Sequence, residues 1–198
     1  MSTITKVALT VGLLVIATII AVLPRKASTD EGAGSTENLS ALRAATSLAE
    51  CPSGDGQDVH KLEGVLTTCL GDGSRVELGQ AIAGRDTLIN VWAPWCQPCK
   101  TELPVLAKYA TEQHSVQVLL VEVAGSEADG LALLQGLGVH LPSVFDGEGA
   151  TGPVREKLAV ALLPSSYLVT ADGRVRYIHN PPVFPNSDAI RAAIDHIR

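Results

Sequence analysis

The stretch NVWAPWCQPCKTELP, Asn90 to Pro104, places two cysteines three residues apart where one kind of periodicity gives way to another. Upstream, TLINVW (Thr87–Trp92) is a continuous apolar run of strand length. Downstream, PCKTELPVLAKYA (Pro98–Ala110) reads as a helix with Pro104 inside it. Cys96 therefore sits where a buried strand hands over to a helix. Its sulfur faces unpaired backbone N–H groups and the positive end of the helix dipole, both of which stabilise a thiolate. Cys99 follows one turn later, with Cβ atoms roughly 5 to 6 Å apart in a regular helix. Modest closure makes a disulfide. Pro98 is suited to a first turn, where its missing N–H is no loss.

Three uses compete for such a pair. As a staple it is weak, because a four-residue loop contributes only about 2 kcal/mol of chain entropy. The loop from Cys51 to Cys69 would contribute roughly 3 kcal/mol and is the better staple. A zinc site needs four ligands at workable spacing, yet His60, His114, His140, His179 and His196 are scattered without a paired pattern. A working redox couple is the reading that the strand-to-helix placement favours, and neither a metal nor a bound cofactor is expected.

Outward from this motif the chain alternates. VQVLLVEV is a second buried strand and ADGLALLQGLG a second helix. SVF, SYLVT and VRYIH follow as further strands, the last two joined by the turn ADGR, and a terminal helix runs from Asn186 to Arg198. Continuous apolar strands separated by helices predict an α/β domain with a largely parallel sheet and an antiparallel hairpin at its edge. Before the motif, GVLTTCL (Gly64–Leu70) is strand-like and CPSGDGQ is a break, while Leu39, Leu42 and Leu48 space a short helix. No internal repeat is present.

The N-terminal segment has a different character. Val7 to Leu23 is 17 residues without a charge, flanked by Lys6 and by Arg25 and Lys26. It spans about 26 Å as a helix, just short of a ~30 Å hydrocarbon core, and snorkelling basic residues can close the gap. A cleaved signal peptide fits less well. The V-x-A of Val15–Ala17 lies inside the apolar run, and cleavage after Ala27 would put Arg25 at the third position back. The expected organisation is an anchor over residues 1–26, a flexible tether over 27–40, whose ASTDEGAGSTENLS is too polar to order itself, and a folded domain over 41–198. Charge alone does not orient the anchor. The four cysteines, none of them in the anchor, suit an oxidising compartment, so residues 27–198 are placed outside the cytoplasm at the cell membrane. All 21 acidic residues but only 12 of the 15 basic ones lie beyond Ala27, an acidic balance that argues against a nucleic-acid partner.

NVWAPWCQPCKTELP resembles the active-site segment of thioredoxin-fold proteins, most of all the membrane-anchored TlpA/ResA branch of extracytoplasmic thiol-disulfide oxidoreductases. The likeness covers roughly residues 60–198, and the CP…CL cysteines behind this tether resemble those of actinobacterial members. It implies a thioredoxin-like α/β fold with a mixed central sheet flanked by helices. It also implies Cys96 as the attacking and Cys99 as the resolving cysteine, a division that the helix geometry favours too. Glu102 matches a glutamate that ResA-like proteins keep near the pair, implying a proton relay to Cys99. A solvated helix glutamate is the alternative. Asn90 stands where cytoplasmic thioredoxins carry a buried acid, and it either departs from that chemistry or simply bonds the backbone. Trp95 offers apolar contact surface beside Cys96, whereas Trp92 suits core packing. Pro164 matches the family's cis-proline, which would turn the Leu163 backbone toward the site for an extended substrate segment to pair with.

The function expected is exchange of disulfides with cysteine pairs of exported proteins, as a reductant, with apocytochrome c a candidate by family analogy. Gln97 and Pro98 bring no positive charge to the thiolate. That predicts a Cys96 pKa nearer ~7 than ~3.5 and a potential below roughly −200 mV. Such a couple needs a membrane-embedded electron donor. An oxidant that installs disulfides and a Cu(I)-binding chaperone are the competing readings.

Overall fold

The computed structural model describes residues 31–198. In chain order it contains α1 (Glu31–Thr46), a 3₁₀ turn (His60–Leu62), β1 (Leu66–Cys69), β2 (Arg75–Glu77), α2 (Leu78–Ala81), β3 (Thr87–Trp92), α3 (Gln97–Ala110), β4 (Gln117–Glu122), α4 (Glu127–Leu137), β5 (Ser143–Phe145), α5 (Pro153–Leu158), β6 (Ser165–Val169), β7 (Val175–Ile178) and α6 (Ser187–Ile197). The apolar segment Val7–Leu23, expected as an anchor, lies outside these residues. Within them no helix is long and apolar enough to cross a membrane.

The strands form one sheet in the order β2-β1-β5-β4-β3-β6-β7. β3, β4 and β5 run parallel to their neighbours in that trio, and every other pairing is antiparallel. The largely parallel sheet read from apolar runs is thus corrected to a mixed one. Apolar runs record burial but not direction. β2 is a three-residue strand, RVE, too short and too polar to register as one. The edge hairpin is present: β6 and β7 pair antiparallel through a turn in which Gly173 takes φ +81°. β3 and β6 are buried along their whole length because both faces of the sheet are covered at its centre.

Two successive parallel crossovers, β3-α3-β4 and β4-α4-β5, step in the same direction across the sheet. Right-handed connection therefore puts α3 and α4 on one face, where α3 also meets α6. The 3₁₀ turn packs with α2 and α5. α3 turns Cys99, Glu102, Leu103, Leu106 and Tyr109 inward, and the Tyr109 hydroxyl accepts the Val116 N–H at 3.0 Å, tying the helix end to the start of β4. α4 is capped by Ser126 and stopped by Gly138 at φ +64°.

α1 begins at Glu31, inside the stretch 27–40 expected as a tether, so from residue 31 onward that expectation is corrected to helix. Residues 31–38, EGAGSTEN, carry no large apolar side chain, and periodicity could not reveal them. The later turns dock: Leu39, Leu42 and Leu48 pack on the core, and a docked end propagates helix backward through a proline-free sequence. Arg43 binds Glu127 Oε2 at 2.5 Å and the Leu70 carbonyl, and Thr46 Oγ1 donates to the Leu131 carbonyl.

The segment after α1 is fixed to β1 by the Cys51–Cys69 disulfide, whose Cα atoms are 6.0 Å apart. Replacing both cysteines by serine should remove about 3 kcal/mol of chain-entropy stabilisation. For a domain of this size that is a fall in Tm of roughly 6 to 12 °C. Thermal unfolding followed by circular dichroism measures it, and an unchanged Tm would show that this bond is no staple.

Candidate active site

Cys96 ends the β3 connection and is the N-cap of α3, its Sγ accepting the Cys99 N–H at 3.3 Å. Pro98 falls in the first turn, where the helix asks for no donor. The two cysteines form a disulfide with Cα atoms 5.3 Å apart. Cys96 retains a little exposure and Cys99 none, so an incoming sulfur reaches Cys96 first. The backbone N–H groups of the first turn and the helix dipole point at that sulfur, which favours its thiolate once the bond is reduced.

Beneath the pair lies a buried polar group. Glu102, one turn after Cys99 on the inward face of α3, is only 1% exposed, which removes the solvated-helix reading. Its Oε1 accepts the Phe184 N–H at 2.7 Å and its Oε2 accepts from the Asn90 amide at 2.8 Å. Burial pushes its pKa above the ordinary carboxyl value, opposed by these two donors. Asn90 does not simply bond the backbone, because its amide is shared between Glu102 and the Ser166 hydroxyl at 3.0 Å. The chain thus places an amide where a buried acid was missing and puts the acid across from it on the helix.

Around the disulfide, Trp95 is 65% exposed and its indole N–H donates to the Ala124 carbonyl at 2.8 Å. Trp92 is wholly buried in the core. The Leu163–Pro164 bond is cis. β6 pairs Ser165 with Val91, so Pro164 lies one step further along, beside the end of β3 that leads into the cysteines. Leu162, two residues before Pro164, is 74% exposed. The structure therefore gathers Trp95, Cys96, Cys99, Glu102, Leu163 and Pro164 at one end of the central strands. Cys51 and Cys69 lie apart, at β1. Among the described residues no group of three or more histidine, cysteine or acidic side chains is placed to hold a metal.

Sequence reasoning missed Phe184 and Ser166, which reach Glu102 and Asn90 from 82 and 76 residues away with no local signal. It also missed Glu122, and there a signal existed. A glutamate inside the apolar run VLLVEV is a charge in a strand that must be buried.

The Redoxin family model matches residues 49–193. The chain is 29% identical over 106 residues to the thiol-disulfide oxidoreductase ResA of Bacillus subtilis, covering 52% of this chain and 57% of that protein. It is 32% identical over 145 residues to the thiol:disulfide interchange protein DsbE of Vibrio cholerae, covering 68% of this chain and 75% of that one. The chain thus spans little more than half the length of ResA. In fold it is similar to a secreted Mycobacterium tuberculosis disulfide oxidoreductase, with a TM-score of 0.58 at 19% identity over 69% of this chain and 98% of that one. The matched region contains the whole cluster from Asn90 to Phe184, and the chain belongs to the Redoxin family as a thioredoxin-like protein of the TlpA/ResA type.

Proposed function

We propose that this chain is a membrane-anchored, extracytoplasmic thiol-disulfide oxidoreductase that reduces cysteine pairs of exported proteins, with apocytochrome c as the candidate that the family likeness offers. The observation that carries the redox chemistry is the Cys96–Cys99 pair capping α3, with the more accessible sulfur at the helix N-terminus and a buried carboxyl one turn below the deeper one. In the reduced protein the Cys96 thiolate attacks one sulfur of a substrate disulfide. The S–S bond breaks, a mixed disulfide forms, and the leaving substrate thiolate takes a proton from solvent. The Glu102 carboxylate then accepts the Cys99 proton. The Cys99 thiolate attacks Cys96 Sγ, the mixed bond breaks, and the second substrate sulfur leaves as a thiolate that becomes a thiol as Glu102 gives up the proton it accepted. Two electrons have passed to the substrate, and the protein holds the Cys96–Cys99 disulfide. An exposed Trp95 and the Leu162–Leu163 backbone offer apolar surface and an extended edge for the substrate segment. A membrane-embedded dithiol donor returns the two electrons.

Direction is tested by equilibration against a glutathione buffer together with thiol alkylation in rapidly quenched cells. The expected result is a potential below roughly −200 mV and a reduced pair. A value near −120 mV with the pair oxidised would make the protein a disulfide-forming oxidant.

Division of labour within the pair is tested by trapping. Cys99→Ser should accumulate mixed disulfides through Cys96, since exchange begins and no resolving thiol ends it. Equal trapping by Cys96→Ser would reverse the roles.

The proton acceptor is tested by pH. Because burial raises the Glu102 pKa, its base form appears only above that raised value, and the resolving step should accelerate as pH rises through it. Glu102→Gln should lose this limb and slow the step by roughly 10²-fold with the fold intact. An unchanged pH profile would leave Glu102 without the proton-accepting role.

A further inference from the structure

Glu122 is the last residue of β4 and the parallel register partner of Trp92, the last residue of β3, so the two side chains leave the sheet on the same face. It is 0% exposed, and among the described residues neither carboxyl oxygen has a hydrogen-bond partner. The space for it is made by two glycines. A Cβ on Gly130, in α4, would lie 1.8 Å from Glu122 Oε2. A Cβ on Gly125 would lie 2.9 Å from Oε1 and 2.8 Å from the Pro94 ring. The carboxyl is therefore wedged between β4 and the first turns of α4, with Gly125 between it and Pro94. Gly125 belongs to the short turn from Val123 to Ser126, and that turn does two things for the cysteine loop. Val123 N–H donates to the Trp92 carbonyl at 2.9 Å, and the Ala124 carbonyl accepts the Trp95 indole N–H at 2.8 Å. Ala124 is held at φ +53°, a conformation that a non-glycine residue keeps only when its surroundings impose it.

A carboxylate enclosed in this way, without a donor or a cation against it, costs far more than the neutral acid. The charged groups on the neighbouring elements make ionisation harder. From α4 come Glu127 and Asp129, both negative. Arg43 of α1 is bound to Glu127. Glu102 of α3 is engaged with Phe184 and Asn90. Asp146, after β5, accepts the Val154 and Arg155 N–H groups at the start of α5. β3 contributes no charged side chain to this layer, its residues there being Leu88, Asn90 and Trp92. Burial first, then Glu127 and Asp129, push the Glu122 pKa up to about 9.

We propose that Glu122 in its neutral form is a positioning residue of the redox site, holding the Val123–Ser126 turn against Pro94 and thereby seating Trp95 beside Cys96. Loss of its proton puts a charge under Gly125 that drives the turn and the first residues of α4 apart, and Trp95 loses its acceptor. The inference rests on the reading of Cys96–Cys99 as a working couple and adds to it a second acid, distinct from Glu102, that acts through a turn rather than on a sulfur.

The experiment uses the full chain. Trp95 emission, taken as the difference between wild type and Trp95→Phe, is titrated from pH 6 to 10.5 alongside the rate of disulfide exchange. Expected are a change in Trp95 emission near pH 9 and a fall in exchange of roughly tenfold or more over the same range. The neutral isostere Glu122→Gln should keep wild-type-like exchange at pH 7 and lose the alkaline emission change. Gly125→Ala approaches the same turn from the other side. Its Cβ collides with Pro94 and Glu122, so it should shift Trp95 emission already at pH 7, and it keeps the test open should Glu122→Gln fail to fold. An alkaline transition that persists in Glu122→Gln, or Trp95 emission unmoved in Gly125→Ala, would overturn the positioning role while leaving the exchange reading intact. A chain that exchanges no disulfide yet shows an alkaline emission change abolished by Glu122→Gln would keep the seat and sink the reading it serves.

Discussion

The end of β3 is the constraint on which the site depends. That strand is buried along its whole length between β4 and β6, so its position is set by packing on both faces and by two ladders of hydrogen bonds. Four residues after it ends, Cys96 caps a helix whose own inward face is fixed by Leu103, Leu106 and Tyr109. The sulfur is therefore held from both sides by elements that cannot move without opening the core. A thiolate stabilised by backbone N–H groups needs that rigidity, because the stabilisation falls off within the first turn.

The sheet direction and the identity of the acid were legible to different degrees. β3, β4, α4 and the β6–β7 hairpin announce themselves through period and turn residues, and the structure follows them closely. β2, α2 and α5 do not, being three to six residues long and fixed by neighbours rather than by their own pattern. Cys96, Cys99 and Glu102 can be read because they share one stretch of one helix. The groups that decide what Glu102 is, Phe184 and Ser166, cannot, because they arrive from the far side of the chain. Glu122 lies between these cases. Its oddity is visible in the sequence, but the glycines that accommodate it are visible only once α4 has folded onto β4.

The site holds two buried acids that differ in kind. Glu102 is bonded through both oxygens, so burial raises its pKa against opposition. Glu122 is bonded through neither among the described residues, and burial, Glu127 and Asp129 all raise its pKa. Opposing influences meet at the first carboxyl, while those on the second all favour its neutral form. Two carboxyls on one face of one sheet are thus separated in role by the presence or absence of two donors.

One of those donors has an origin of its own. Phe184 lies in HNPPVFPN, where Pro181, Pro182 and Pro185 supply no N–H to a strand ladder and α6 begins only at its N-cap, Asn186, so the residues between belong to neither sheet nor helix. Its amide stays uncommitted, and its ring, buried in the core, brings that amide to Glu102. The tuning of the acid is thereby encoded in a stretch that the sheet does not need. Lengthening or shortening this stretch by a residue would move the donor away from the carboxyl and leave every strand in register. A lineage can therefore revise the proton affinity of the redox centre by small changes in a loop, without renegotiating the architecture that carries it.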